Sequence, residues 1–326
     1  MSIPPHSRLE RSLTTVLLTI NSARLAKLAP ESALELIVVS VKQGSPSESG
    51  TEPLDKDACY NSRRIHPLNE ATAGMDRVFG FPVSAKHFHL YTHDSKLKEH
   101  PAYLAAKGGD KEAAFDLVWD LASKFLISLR GEFSKPVIYV SPFAKEASGD
   151  NAIPPLLATA CASLIGGEAE NDIVQSERVY HTGADPMERM RTRPSFEGEV
   201  KRHQHYVLVD DVTNMGGTLA ELANYIQSKE GYIEGTLVLC NAGRSHEFVA
   251  SKKVLRLLKE RFGDEIRNLF GIKTETLTAN EANYLVGFRS LDEIRNRIIK
   301  AKKETVERLR SKGIYRENAD NGHQGT

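Results

Sequence analysis

The sequence predicts an α/β fold: a three-layer core with a mainly parallel sheet, carrying helical additions at both ends. Three observations predict it. Compact β-branched and aromatic runs, PVIYVS at 136–141, YVLV at 206–209 and GTLVLC at 235–240, read as buried strands. Segments with apolar residues at helical spacing separate them, and such alternation argues for a parallel sheet wound right-handedly. The 326 residues, 40% hydrophobic and 26% charged, suffice for an ordinary core.

Residues 1–43 read as helical, and GSPSESGTEPLDKD at 44–57 reads as a loop or linker. Alternation in VFGFPVSAKHFHLYTHD suits a short strand around Phe88 and Leu90. PAYLAAKGGDKEAAFDLVWDLASKFLISLR reads as a helix, a Gly108-Gly109 break and a longer helix. After PVIYVS, the loop PFAKEASGDNA leads to the helix PPLLATACASLIGG, with Asn151 able to cap it. NDIVQSERVY at 171–180 reads as a second strand, followed by the long polar connection YHTGADPMERMRTRPSFEGEV. LAELANYIQS is a helix with Leu219, Leu222, Ala223 and Ile226 on one face. Beyond Asn241 the chain turns helical, with capping boxes expected at Thr278/Glu281 and Ser290/Glu293. The division that follows is 1–130, a core at 131–243, and a helical extension at 244–326 with a frayed tail.

Composition excludes several classes. A formal net charge of +0 and a pI near 7.2 give no global basic field for nucleic acid. Cys59, Cys161 and Cys240 form neither a disulfide framework nor a metal pair, and read as reduced cytosolic thiols. No stretch approaches the roughly 18 apolar residues of a membrane span. Arg8 and Arg11 precede TTVLLTI, but that run is too short for a secretory signal. The expectation is a cytoplasmic protein. His87, His89 and His93 in KHFHLYTHD lack a Cys or Glu at ligand spacing, which argues against zinc.

The chemistry concentrates in YVLVDDVTNMGGTLAEL. A buried strand ends in Asp210 and Asp211, a tight turn with Gly216 and Gly217 follows, and a helix begins. Free N–H groups and the helix dipole at such a start favour an anion. The glycines let backbone approach a phosphate, and Thr213, Asn214 and Thr218 add side-chain donors. Carboxylates beside a phosphate site suggest bound Mg²⁺ or polyol recognition.

This string resembles the phosphoribosyl-diphosphate (PRPP) motif of type I phosphoribosyltransferases: four apolar residues, two acids, a spacer, then T-x-G-G-T or a variant. The resemblance implies that Asp210 and Asp211 engage the ribose hydroxyls, directly or through Mg²⁺-bound water. It implies that the loop from Thr213 through Asn214, Met215, Gly216 and Gly217 to Thr218 cradles the 5′-phosphate. It places a pyrophosphate loop at Lys145, Ser148, Gly149 and Asn151. It makes the connection with Arg178, His181, Arg189, Arg191 and Arg193 a flexible lid, Arg189 and Arg191 stabilising the leaving charge. Residues 1–130 would then supply a hood. The sequence departs from the pattern at Asn214-Met215, where the family commonly has Thr or Asp followed by Thr. Residues about 76–300 further resemble uncharacterised bacterial phosphoribosyltransferase-like proteins, through HPAYLAAKGGDKEAA, NAIPPLLA, IVQSERVYHTGAD and LTANEANYLVGFRSLDEI. The implied function is Mg²⁺-dependent transfer of 5-phosphoribosyl from PRPP to a nucleobase-like small molecule, in nucleotide metabolism, with homodimers frequent in the family. Two alternatives stand beside it: a PRPP- or nucleotide-binding regulatory protein without turnover, and a hydrolase of glycosidic bonds.

Overall fold

The computed structural model describes residues 75–142, 145–146, 149–176 and 184–311, with only backbone for 145–146 and 149–150. These residues belong to one unit spanning Ile65–Thr326. The readings made for residues 1–57, for Ser148, Arg178 and His181, and for the tail lie outside the described residues.

The strands are β1 (Lys86–Tyr91), β2 (Val137–Val140), β3 (Lys145–Glu146), β4 (Gly149–Asp150), β5 (Glu168–Glu170), β6 (Val174–Gln175), β7 (Phe196–Glu197), β8 (His205–Thr213) and β9 (Tyr232–Asn241). Five of them form one sheet in the order β1-β9-β8-β2-β5, and every neighbouring pair is parallel. Two further pairs, β3–β4 and β6–β7, are short antiparallel ribbons. The helices are α1 (Ser95–Lys98), α2 (Tyr103–Lys107), α3 (Lys111–Ser128), α4 (Ile153–Leu164), α5 (Pro186–Arg191), α6 (Gly217–Ser228), α7 (Lys252–Phe262), α8 (Glu265–Phe270), α9 (Ala279–Leu285) and α10 (Leu291–Ser311).

The expected parallel α/β architecture is present. Its central strand β8 is fully buried from Tyr206 to Val209, and its neighbours are β2 and β9, as the hydrophobic runs predict. Leu219, Leu222, Ala223 and Ile226 of α6 pack on Tyr206 and Leu208. Because side chains alternate along a strand, Val207, Val209 and Asp211 point to the other face. Asp211 there meets Asn151 at the head of α4. The Gly108-Gly109 break separates α2 from α3, and the Asp110 side chain caps α3 through the amides of Glu112 and Ala113.

Three expectations need correction. The sheet does not begin at 131: KHFHLY is β1, paired along its length with β9, so the α/β core reaches back into the region read as a separate N-terminal part. Of NDIVQSERVY, residues 171–176 are described, and they add no strand to the main sheet. The edge strand is instead Glu168–Glu170, and Val174–Gln175 turns away to pair with Phe196–Glu197. β8 continues past YVLV to Thr213, because Asp210, Val212 and Thr213 keep parallel partners on β9. A periodicity search stops at the first carboxylate, whereas the ladder needs only backbone.

The chain leaves β2 through α4 for β5 on one side, and leaves β8 through α6 for β9 on the other. Right-handed crossovers in opposite directions put the two helices on opposite faces. The carboxyl ends of β2 and β8 therefore flank a topological switch point, the place where open parallel sheets bind ligands.

Candidate functional site

β8 runs directly into the turn Asn214–Gly216 and then α6. Gly216 sits at the helix start with φ of +76°, a left-handed conformation that glycine adopts without penalty. The first amides of α6 consequently open onto a concave site. Asp210 and residues 212–218 line it, together with Arg189, Met190, Arg193 and Pro194. Arg77, Glu221 and Glu281 complete its wall.

Adjacent in sequence, the two acids are separated in space. Asp210 is partly buried and lines the site, accepting the Asp211 amide at 2.9 Å. Asp211 is 3% exposed on the opposite face of β8. One of its oxygens, Oδ2, lies 2.8 Å from Lys107 Nζ and accepts from Asn151 Nδ2 at 3.1 Å. Its other oxygen accepts the Val212 amide at 2.7 Å. Asp211 thus ties α2 and the head of α4 to the end of β8. This does not fit a magnesium site built on both carboxylates, since an ammonium already holds the second. Among the described residues, no group of three or more His, Cys, Asp or Glu could hold a metal.

The loop is braced from the C-terminal addition. Thr278 caps α9 in the expected capping box with Glu281, and its hydroxyl donates to the Met215 carbonyl. The Met215 side chain packs against the apolar cluster of α7–α10. A β-carbon on Gly243 would collide with the Asn214 carbonyl and the Asn280 amide, so a glycine is required for that approach.

Behind the turn lies a buried ionic cluster that the sequence did not reveal. Arg77, 1% exposed, grips Glu281 with two hydrogen bonds of 2.8 and 2.9 Å and donates to Glu221 Oε1 at 2.9 Å. Arg193 donates to the same Glu221 oxygen at 2.9 Å. Burial would lower the Arg77 pKa, but the charges of Glu281 and then Glu221 carry it above its ordinary value. One signal was available: Glu221 sits among the apolar positions of LAELANYIQS, and a buried carboxylate requires a cationic partner.

The arginines of the expected lid divide. Arg193 is buried and paired, not part of a mobile loop. Arg189 lies on α5, with Nε donating to the Ala184 carbonyl at 3.0 Å, and lines the site. Arg191, at the end of α5, is half-buried, which lowers its pKa, and is not among the lining residues. Asn151 serves the fold: besides holding Asp211, its Oδ1 accepts the Ile153 amide at 3.2 Å. It is not the expected cap of α4, because the N-cap position falls on Ala152, one residue further on. Lys145 and Gly149 fall in the β3–β4 ribbon that leaves β2.

No family model matches the chain. It is similar to Protein TraN of Escherichia coli, 38% identical over 221 residues, which cover 65% of this chain and 49% of TraN. An uncharacterized protein of Haemophilus influenzae is 34% identical over 138 residues, 41% of this chain and 31% of that one. The chain thus spans about half the length of the first relative and less than a third of the second. Among solved structures, adenine phosphoribosyltransferase from Thermoanaerobacter pseudethanolicus is 16% identical, covering 41% of this chain and 82% of that chain, with a TM-score of 0.27. A hypoxanthine phosphoribosyltransferase from Staphylococcus aureus is 11% identical, covering 41% and 68%, with a TM-score of 0.25. Likeness at that level carries no argument about activity. No described helix is long and apolar enough to cross a membrane.

Proposed function

We propose that the chain binds PRPP at its 213–218 turn and transfers the 5-phosphoribosyl group to a small, nucleobase-like acceptor, releasing pyrophosphate. One observation carries the reading. The string YVLVDDVTNMGGTL, which resembles a PRPP motif, forms the strand end, left-handed turn and helix start at the switch point of a parallel sheet. In this reading the amides of 215–218 and the Thr218 hydroxyl take the 5′-phosphate, with Arg189 adding a cation. Asp210 accepts from the ribose hydroxyls. The C1 carbon would then lie toward the carboxyl end of β2. The bond from C1 to the pyrophosphate oxygen breaks, its electron pair leaving with pyrophosphate. An acceptor nitrogen supplies the pair for the new bond. Mg²⁺ would accompany the phosphates of the ligand and not a carboxylate pair.

A second reading, binding without turnover, draws on two positions that the resemblance assigns to ligand and the fold has engaged. Asp211 is held by Lys107 and Asn151, and the Met215 side chain packs into the C-terminal cluster. Incubation with PRPP, Mg²⁺ and a panel of bases, with pyrophosphate release as readout, separates the two. Release that depends on one base and disappears in Asp210→Asn supports transfer. Calorimetric binding of PRPP without release supports the regulatory reading. No PRPP binding at millimolar concentration refutes both.

A further inference from the structure

We infer that the Arg77–Glu281 pair sets the charge behind the phosphate cradle, so that two residues outside the motif, one before β1 and one on α9, are positioning residues for the anion. The inference rests on reading the 214–218 turn as an anion site.

The geometry begins with Gly217. A β-carbon there would lie 3.1 Å from Glu281 Oε1, so the missing side chain is where a carboxylate comes up against the first turn of α6. That carboxylate is 1% exposed. A helix start attracts negative charge. An uncompensated glutamate at that distance would occupy the same field a ligand phosphate needs, and would repel a dianion. Arg77 removes the conflict. Its guanidinium covers both Glu281 oxygens, while Glu281 Oε2 also accepts the Thr278 amide at 2.9 Å. Glu221 is balanced in turn by Arg77 and Arg193, so two cations face two anions.

Arg77 is itself fixed by its backbone. Its amide donates to the Gly271 carbonyl at 2.8 Å, and its carbonyl accepts the Lys273 amide at 3.0 Å and the Thr276 hydroxyl at 3.1 Å. The segment before β1, held by the α8–α9 connection, and the first turn of α9 thus deliver cation and anion to one point behind the turn. A simple structural pair would need only to be neutral and buried. This one abuts the amides that would hold the ligand, so changing its charge should change anion affinity even where folding is retained.

The test is a charge cycle read by calorimetric titration with inorganic phosphate, ribose 5-phosphate and PRPP, with melting curves in parallel. Glu281→Gln keeps a side chain able to accept the Thr278 amide and leaves Arg77 one charge in excess. Phosphate affinity should rise by roughly 15- to 30-fold, the size of a unit charge felt across about 8–10 Å at an effective dielectric near 20. Arg77→Gln with Glu281→Gln restores neutrality and should return affinity to within about threefold of the unaltered protein. Unchanged or weaker affinity in a cooperatively melting Glu281→Gln protein overturns the inference. So does a double variant that folds yet binds more than tenfold worse than the unaltered protein. If the unaltered protein binds inorganic phosphate but not PRPP, the PRPP reading falls and the cycle still decides this one. If it binds neither, both fall.

Discussion

Lys107 Nζ lies 2.8 Å from Asp211 Oδ2, on the face of β8 opposite to the one that carries Asp210 into the pocket. Two adjacent carboxylates that look equivalent in the sequence therefore have different tasks. Asp211→Asn removes one partner of a largely buried pair and should lower stability by roughly 2–4 kcal/mol, near the lower end of the range for broken buried pairs because Lys107 is partly exposed. Asp210→Asn should melt close to the unaltered protein and lose PRPP binding by about 1.5–3 kcal/mol, the scale of hydrogen bonds to a charged group. Melting curves and calorimetry on both variants check this. Equal stability loss in the two would mean that the separation of roles is wrong.

Arg189 and Arg191 differ in the same way. Of the two, only Arg189 lines the site. Arg189→Gln should weaken ribose 5-phosphate binding by roughly 1.5–3 kcal/mol with the fold intact, and the loss should shrink in high salt. Arg191→Gln should leave binding within a factor of about two. If the second variant is the damaging one, α5 presents the other side of itself to the ligand.

A pH dependence follows from His87. Its ring stacks on Phe248, with centroids 4.6 Å apart, and meets Phe81 edge-on. Burial pushes its pKa down to about 4, from a usual value of 6.5. The folded state thus holds the ring neutral while the unfolded chain takes up a proton once the pH drops below 6.5. The stabilisation is complete above pH 6.5, declines as the pH falls from there to 4, and is absent below. By linkage the decline should amount to about 3 kcal/mol. Urea unfolding at pH 7, 5.5 and 4.5 should show it, and His87→Phe should flatten that part of the profile. The loss matters to the site because Phe248 also abuts Gly216: a β-carbon there would lie 3.5 Å from the Phe248 ring.

How much of this was legible beforehand depends on the range of the interaction. YVLV, the glycine pair and the Thr278/Glu281 capping box are local patterns, and the structure carries all of them. β1 was visible as alternation in KHFHLY, but its place in the main sheet was not, because its partner β9 lies about 150 residues away, as in His87 against Thr236. The partners of Asp211 and Glu221 were illegible for the same reason. Lys107 and Arg77 stand 104 and 144 positions from them, and no periodicity reports a pairing at that distance. The second strand was misplaced because NDIVQ has the right composition for a sheet strand, while EAE at 168–170 does not. An edge position next to β2 needs backbone partners more than apolar side chains.

Thr278 gives a last test, of whether the C-terminal addition belongs to the site. Its hydroxyl accepts the Glu281 amide, closing the cap of α9, and donates to the Met215 carbonyl in the middle of the turn. Replacing it by valine keeps shape and removes both bonds. Loss of the cap alone should cost about 1 kcal/mol of global stability. Release of the Met215 carbonyl should do something a distant cap could not, and raise hydrogen exchange at the amides of 215–218 more than elsewhere in β8 or α6. Phosphate affinity should fall with it, because amides that must be ordered on binding hold an anion less tightly than amides already aimed. If stability falls by the expected amount while exchange in the turn and phosphate affinity stay unchanged, α9 is a neighbour of the cradle and not part of its frame. Accelerated exchange confined to 215–218 would make the helices after β9 a structural requirement of the site.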